Sequence, residues 1–298
     1  MAGIERVGLI GIGLMGHGIG KNILLKGFKL TVLANRNRKP VDDLIGRGAS
    51  EAKNPRDLAA GSDLVITCVG NSAQLEDIMR RVDGILAGLA PGAVIADCTT
   101  AQPQSTEALA AETEAKGGHF VDTPLTRTPN EAEAGKLGLM TGGDVAVLAR
   151  IRPVLESFAD TIVHCGGVGA AHKVKLINNL LALGAAALTA EALATAQKGG
   201  VDLKALRDIV TAGGANSVMF QRLASYFIDG DKTQAQFAIA NAQKDLRYYL
   251  QMAEALATPS PVAAAAHQLY WLASSMGYAE RYVPATIDAL ISIGDKPA

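Results

Sequence analysis

The stretch that most constrains this chain lies near its start. Arg6–Ile10 is a short apolar run that leads straight into Gly11-Ile12-Gly13-Leu14-Met15-Gly16. A run bounded this way reads as a buried parallel strand. The glycine spacing is G-x-G-x-x-G, and each glycine has its own physical task. The first makes a tight turn, the second lets backbone approach a pyrophosphate, and the third lets a helix pack closely on the strand. A helix predicted over Met15–Leu25 aims its N-terminus at the phosphates. A second strand predicted at Lys29–Ala34 completes the β-α-β setting that the motif requires. Gly11, Ile12, Gly13, Leu14, Met15 and Gly16 are therefore candidate cofactor contacts.

The end of the second strand is where such folds read the ribose, and those selective for NAD carry Asp or Glu there. This chain carries Asn35-Arg36-Asn37-Arg38-Lys39, with cations and no acid. Arg36 can hold a 2′-phosphate in a forked contact, which lysine cannot. The expected cofactor is NADP(H), with NAD(H) as the alternative, and Asn35 and Arg36 are its expected ribose-end contacts.

The alternation continues. Further strands are predicted at Asp63–Val69, Ala93–Asp97, His119–Asp122, Lys136–Thr141 and Thr161–His164. Helices are predicted at Gln74–Ala87, Pro103–Lys116 and Val145–Phe158. Ligands of such sheets bind beyond the carboxyl ends of the strands. Val69, Asn71 and Thr100 fall there as candidate cofactor contacts, and Thr126-Arg127-Thr128 lies in another loop at the same edge. From Ala170 the pattern turns helical: Ala170–Lys198, Leu203–Ala212, Ser217–Phe227, Phe237–Leu256, Pro261–Met276 and Val283–Ile293. The expected fold is α/β, a Rossmann-type doubly wound sheet domain followed by an all-α domain, joined by a long interdomain helix. The expected boundaries are 1–165 for the NADP-binding domain and 166–298 for the helical substrate and dimerisation domain.

At the junction stands GGVGAAHKVKLINN, residues Gly166–Asn179. Lys175 and Asn179 are one helical turn apart and share a face. On spacing alone Lys175 reads first as a helix lysine whose stem covers apolar surface. Lys173 lies on a different face. His172 reads either as a residue lining the site or as a hydrogen-bonded structural histidine. The five histidines and three cysteines show no metal-ligand spacing, so no metal is expected.

Composition narrows the partners. A net charge of −1 gives no electrostatic reason to expect nucleic acid or an anionic membrane. The run Leu180–Leu188 is too short to span a bilayer. Sparse cysteines and the lack of a leader pattern lead to an expectation of a cytoplasmic protein.

Five motifs in order carry a family resemblance. They are Gly8 to Gly16 with Met15, Asp97-Cys98-Thr99-Thr100, Asp122-Thr123-Pro124-Leu125, Gly169 through Lys175 to Asn179, and Phe237 with Lys244-Asp245-Leu246. In these the chain resembles the β-hydroxyacid dehydrogenases, the group that includes 3-hydroxyisobutyrate dehydrogenase, tartronate semialdehyde reductase, sulfolactaldehyde reductase and, more distantly, 6-phosphogluconate dehydrogenase. The resemblance implies a reductase of small acid semialdehydes, or the reverse oxidation of hydroxy acids, working as a homodimer or homotetramer. It selects Lys175 over Lys173 as proton donor and acceptor and pairs it with Asn179. It also implies that Lys244 reaches the cofactor. A free lysine titrates near ~10.4, so base work near neutrality needs its proton affinity lowered by burial or nearby cations. The family loop usually continues Ser-Gly-Gly where this chain has Thr126-Arg127-Thr128, an Arg-Thr pairing that resembles the sulfolactaldehyde reductases. Those three residues and Asn178 are the candidate contacts for the anionic end of the substrate. The alternatives are an imine reductase, whose architecture is similar but which usually lacks the lysine, and a non-catalytic NADP-binding scaffold.

Overall fold

The structure, a computed structural model, describes residues 3–293. Packing divides the chain into two compact units, Met1–Lys175 and Leu176–Ala298.

The first unit opens with β1 (Arg6–Ile10), α1 (Leu14–Leu25), β2 (Lys29–Leu33), α2 (Lys39–Gly46), β3 (Ser50–Ala52) and α3 (Pro55–Ala60). It continues with β4 (Leu64–Thr67), α4 (Ser72–Arg80), α5 (Ile85–Gly88), β5 (Val94–Asp97), α6 (Pro103–Ala115) and β6 (His119–Asp122). Then come β7 (Leu125–Thr126), α7 (Pro129–Glu133), β8 (Leu137–Gly142), α8 (Val145–Phe158) and β9 (Ala159–Gly166). The strands form one sheet in the order β3-β2-β1-β4-β5-β6-β8-β7, with β9 paired to β8. Pairing is parallel from β3 to β6; β8 runs antiparallel to β6 and β7 and parallel to β9. The strand order reverses between β1 and β4, the switch point at which such sheets bind ligands.

Both faces of the central strands are apolar, which is why helices cover both. Successive side chains of a strand point to opposite faces. Leu64 and Ile66 of β4 accordingly enter one core with Ile19, Ile23 and Leu44, while Val65 enters the other with Leu75, Met79 and Leu109. This is the doubly wound α/β fold expected from the sequence.

Short elements are where the structure departs from the sequence reading. The helix expected over Gln74–Ala87 is two pieces, α4 and α5. The turn between them is tight: a Cβ on Gly84 would lie 2.6 Å from the carbonyl oxygen of Met79. The segment β3–α3 went unassigned, although Asn54 caps α3 by accepting from the Asp57 N–H at 2.8 Å, with Pro55 in the first turn. The segment β7–α7 was expected as loop; Thr128 and Glu131 form a capping box there. The last strand runs beyond Thr161–His164 because β9 pairs along β8.

The helix α9 (Ala170–Lys198) runs from the first unit into the second. The second unit adds α10 (Leu203–Ala212), α11 (Val218–Ile228), α12 (Ile239–Ala255), α13 (Pro261–Ala273) and α14 (Thr286–Ser292). The helix expected to reach Met276 gives way to a π turn, Ser274–Tyr278, in which Gly277 has φ 90°. Small residues of α9, Ala186, Ala187 and Ala190, let its neighbours approach closely, and Leu223, Leu246 and Tyr270 fill the core around them. By length and composition α9 could cross a membrane; 44% of its most apolar window is buried within the protein.

Tyr270 is fully buried, and its hydroxyl donates to the Leu183 carbonyl at 2.8 Å. Tyr270→Phe should lower the unfolding free energy by about 1 kcal/mol through the lost bond. Tyr270→Ala should cost roughly 3–5 kcal/mol through the cavity left behind. Urea unfolding curves check both; equal effects of the two would refute this division.

Candidate functional site

The glycine loop divides its tasks as the sequence predicts. Gly11 has φ 100°, and a Cβ there would sit 2.1 Å from the Cys68 carbonyl oxygen, so only glycine fits this turn. A Cβ on Gly16 would lie 2.0 Å from the Gly11 oxygen, which is the close packing of helix on strand. At Gly13 a Cβ would meet nothing within 4 Å. Gly13 is also the N-cap of α1, and no side chain caps that helix. Open space in front of an uncapped helix N-terminus fits a pyrophosphate. The residues present therefore fit a dinucleotide.

Beyond β2 the basic cluster is not uniform. Arg38 is engaged on both sides: it binds Asp42 at 3.0 Å and Glu51 through two bonds of 2.8 and 3.0 Å. Arg36 is exposed and has no hydrogen bond or ion pair among the described residues. A groove of about 290 Å³ lies beside it in sequence, lined by Leu33, Ala34, Glu51, Ala52 and Lys53 at the ends of β2 and β3. The Glu51 carboxylate in that groove is neutralised by Arg38. The expected cofactor contacts after β4 and β5 have mixed surroundings. Val69 donates its N–H to Thr99 Oγ1 at 3.1 Å. Asn71 uses its amide oxygen to cap α4, accepting from the Gln74 N–H at 2.9 Å. Thr100 is half-buried.

The start of α9 is held from the sheet. Asp122, the buried last residue of β6, accepts the N–H of Gly169 at 2.8 Å and of His172 at 2.9 Å. A carboxylate on the first free N–H groups of a helix satisfies them and opposes the helix dipole. On α9, Lys173 points to Glu107, 2.9 Å away, as a surface ion pair. Lys175 is half-buried, Asn178 is exposed and Asn179 is buried.

Sequence reasoning assigned no role to Asp245, and in the second unit it organises the polar cluster. Asp245 is 1% exposed and accepts from Asn179 Nδ2 at 2.6 Å. Its other oxygen lies 3.0 Å from Lys244 Nζ, an ion pair without hydrogen-bond alignment. A carboxylate only accepts, so Asp245 forces the Asn179 amide to turn its NH₂ inward. The amide oxygen of Asn179 is left facing away; it accepts a 3.3 Å bond from Asn178 and keeps a second lone pair. The signal was present as an acid beside Lys244 in a helix that buries one face.

The loop after β6 is hydrogen-bonded within its own unit. Thr126 Oγ1 donates to the Gly138 carbonyl at 3.2 Å. Thr128 gives its N–H, at 3.0 Å, and its hydroxyl to the Glu131 carboxylate. Arg127 binds the Lys136 carbonyl, Asp160 at 2.8 Å and Thr161 at 3.0 Å. The hydroxyls of Thr126 and Thr128 thus have partners within their own unit, as do three of the five guanidinium N–H groups of Arg127. Arg127 also has φ 78°, a left-handed conformation that glycine adopts freely and arginine does not. Its three partners hold the backbone there. Among the described residues no group of His, Cys, Asp and Glu is arranged to hold a metal ion.

One titratable group sits directly behind the glycine loop. His17 on α1 reaches Glu133 at 2.6 Å through Nδ1 and Asp43 at 2.8 Å through Nε2. Burial disfavours its charge, but the bonds to Glu133 and Asp43 outweigh burial and raise its proton affinity above the usual value. Lys21 and Arg47 also pair with these two carboxylates. A raised folded-state value means the contribution is complete below the ordinary histidine range and is lost as pH rises through the raised value. The Tm of the protein should therefore fall more between roughly pH 6 and pH 8.5 than that of His17→Gln. Parallel profiles for the two proteins would refute the assignment.

Both parts of the chain match known protein families. Residues 6–167 match the family model of the NAD-binding domain of 6-phosphogluconate dehydrogenase. Residues 169–290 match that of the NAD-binding region of NADP-dependent 3-hydroxyisobutyrate dehydrogenase. The chain is 32% identical to L-threonate dehydrogenase of Cupriavidus necator, over 92% of each protein. It is 30% identical to 3-sulfolactaldehyde reductase of Escherichia coli, over 91% of each. The solved structure of 3-hydroxyisobutyrate dehydrogenase from Salmonella typhimurium superposes with TM-score 0.83 at 30% identity, covering 95% of this chain and 99% of that one.

Proposed function

The chain belongs to the β-hydroxyacid dehydrogenase family, and from that premise we propose an NADP(H)-dependent reductase of a small anionic aldehyde, run in reverse as a hydroxy-acid dehydrogenase, with Lys175 as proton donor and acceptor. The observation that carries the reading is the amide of Asn179, locked by Asp245 at 2.6 Å one helical turn beyond Lys175. When bound, the reduced nicotinamide supplies a hydride to the carbonyl carbon. Negative charge develops on the carbonyl oxygen as that bond forms. Lys175 hydrogen-bonds this oxygen and passes its proton to it, so an alcohol results. In the oxidising direction the neutral amine takes the hydroxyl proton. Asn179 offers an acceptor that orients a hydroxyl or an ammonium without competing for the proton.

Gly11 to Gly16 hold the pyrophosphate in this reading, and the open Gly13 position supports it. Arg36 takes the 2′-phosphate, because Arg38 is already committed to Asp42 and Glu51. Lys244, ion-paired with Asp245, is the proposed cofactor contact contributed by the second unit. Asn178 is the substrate-facing amide. In the loop after β6, Thr126 and Thr128 have their hydroxyls engaged, whereas Arg127 has two N–H donors beyond its three bonds and stays the candidate for an anionic substrate group. Relatives named for threonate and sulfolactaldehyde support a small anionic substrate.

Lys175→Ala should fold and bind NADPH normally, yet turn over glyoxylate, succinic semialdehyde and sulfolactaldehyde ~10²–10⁴-fold more slowly. Near-normal turnover would sink the assignment. Arg36→Ala should weaken NADPH binding by roughly 10–100-fold while leaving NADH binding nearly unchanged, as loss of a forked charged contact requires. Fluorescence titration with both cofactors measures this; equal changes for the two would show that Arg36 does not read the 2′-phosphate.

A further inference from the structure

We propose that His172 is a positioning residue that fixes Lys175 relative to the loops after β4 and β5. The inference rests on the reading of Lys175 as the proton-transferring group. His172 is fully buried in the first turn of α9, three residues before Lys175. Its ring Nε2 lies 2.8 Å from the Thr99 carbonyl oxygen, which can only accept, so Nε2 carries a proton. Its Nδ1 lies 2.7 Å from Thr106 Oγ1 on α6. Its backbone N–H is the one that Asp122 accepts at 2.9 Å. One residue is thus pinned to the residue two beyond β5, to the end of β6 and to α6.

The pin extends further. Thr99 Oγ1 accepts the Val69 N–H at 3.1 Å, and the Thr99 N–H donates to Asp97 at 3.0 Å. Both loops expected to line the cofactor are therefore tied, through Thr99, to the His172 ring. From His172 to Lys175 there is only rigid helix, a rise of ~4.5 Å. Displacement of the ring moves the Lys175 ammonium relative to those loops.

The chemistry of the pocket supports a geometric role over space-filling. A buried imidazole costs free energy unless both nitrogens are satisfied, and an apolar side chain would fill the same volume without that cost. The charged and titratable groups that face the ring are Asp97, 3.6 Å from Nε2, and Asp122, 3.8 Å from Nδ1. Burial pushes the Asp97 carboxyl above its ordinary range. Thr106 Oγ1 also lies 3.2 Å from the Gln102 carbonyl, but its single proton can serve only one acceptor. With neutral imidazole, Thr106 donates to Nδ1. The side-chain amide of glutamine can copy this pattern, donating to Thr99 and accepting from Thr106.

The test compares His172→Ala and His172→Gln, alone and in the Lys175→Ala background, using NADPH and the fastest of the three aldehydes above. His172→Ala should lower kcat by ~10–100-fold, the scale of a displacement of about 1 Å, with KM and NADPH affinity within twofold of wild type. His172→Gln should restore most of kcat. In the Lys175→Ala background His172→Ala should cause no further loss. Should His172→Ala not fold, His172→Met keeps the volume without the hydrogen bonds and carries the same expectation. A folded Ala or Met variant with wild-type kcat and only a lowered Tm overturns the inference. So does a loss that multiplies with that of Lys175→Ala. If Lys175→Ala itself turns over normally, it is the reading of Lys175 that fails, whatever His172 does.

Discussion

A buried carboxylate at the end of one strand holds the start of the longest helix. Asp122 accepts two of the first N–H groups of α9, and in doing so it attaches the sheet to the residues that follow. The helix N-terminus needs acceptors for its free donors, and the buried acid needs donors; each removes the other's cost of burial. The first turn of α9 depends on this join. His172 enters the same pocket one side chain later, and Lys175 stands at a set rise beyond it.

Around the cofactor loop the same logic of pairing decides which charges remain available. Of the cations after β2, Arg38 goes to Asp42 and Glu51, while Arg36 has no ion pair among the described residues. Behind the loop, His17 joins α1 to α2 and α7 through carboxylates that Lys21 and Arg47 also neutralise. The glycines handle shape, with Gly11 in a left-handed turn and Gly16 against the strand. Charge selects among ligands, and shape admits them.

Much of this was legible in the sequence. The glycine motif, the β1, β6, α8, α9 and α10 boundaries and the order of strands and helices follow from apolar periodicity and turn residues. Short elements did not: β3, α3, β7 and α7 are too brief for a periodic signal, and only the caps of α3 and α7 mark their segments. For Thr126, Arg127 and Thr128, sequence places a loop at an edge without saying where its donors point. The Gly138 carbonyl, Asp160 and Glu131 each take a donor from one of them. Asp245 passed unassigned for the converse reason. Its importance lies in one bond to Asn179, 66 residues away.

By itself the sequence determined the class of fold, the family and the short list of residues able to do chemistry. Those follow from local spacing: a strand into G-x-G-x-x-G, and a lysine and an amide one turn apart on a helix. Tertiary structure alone decided which listed residues are already committed. It committed Arg38, Thr128 and Lys173 to partners, turned the Asn179 amide and buried His172 between strand ends. The physical reason is that hydrogen-bond commitment depends on groups brought together from distant parts of the chain. Spacing along the chain carries no record of which acceptor a donor will meet.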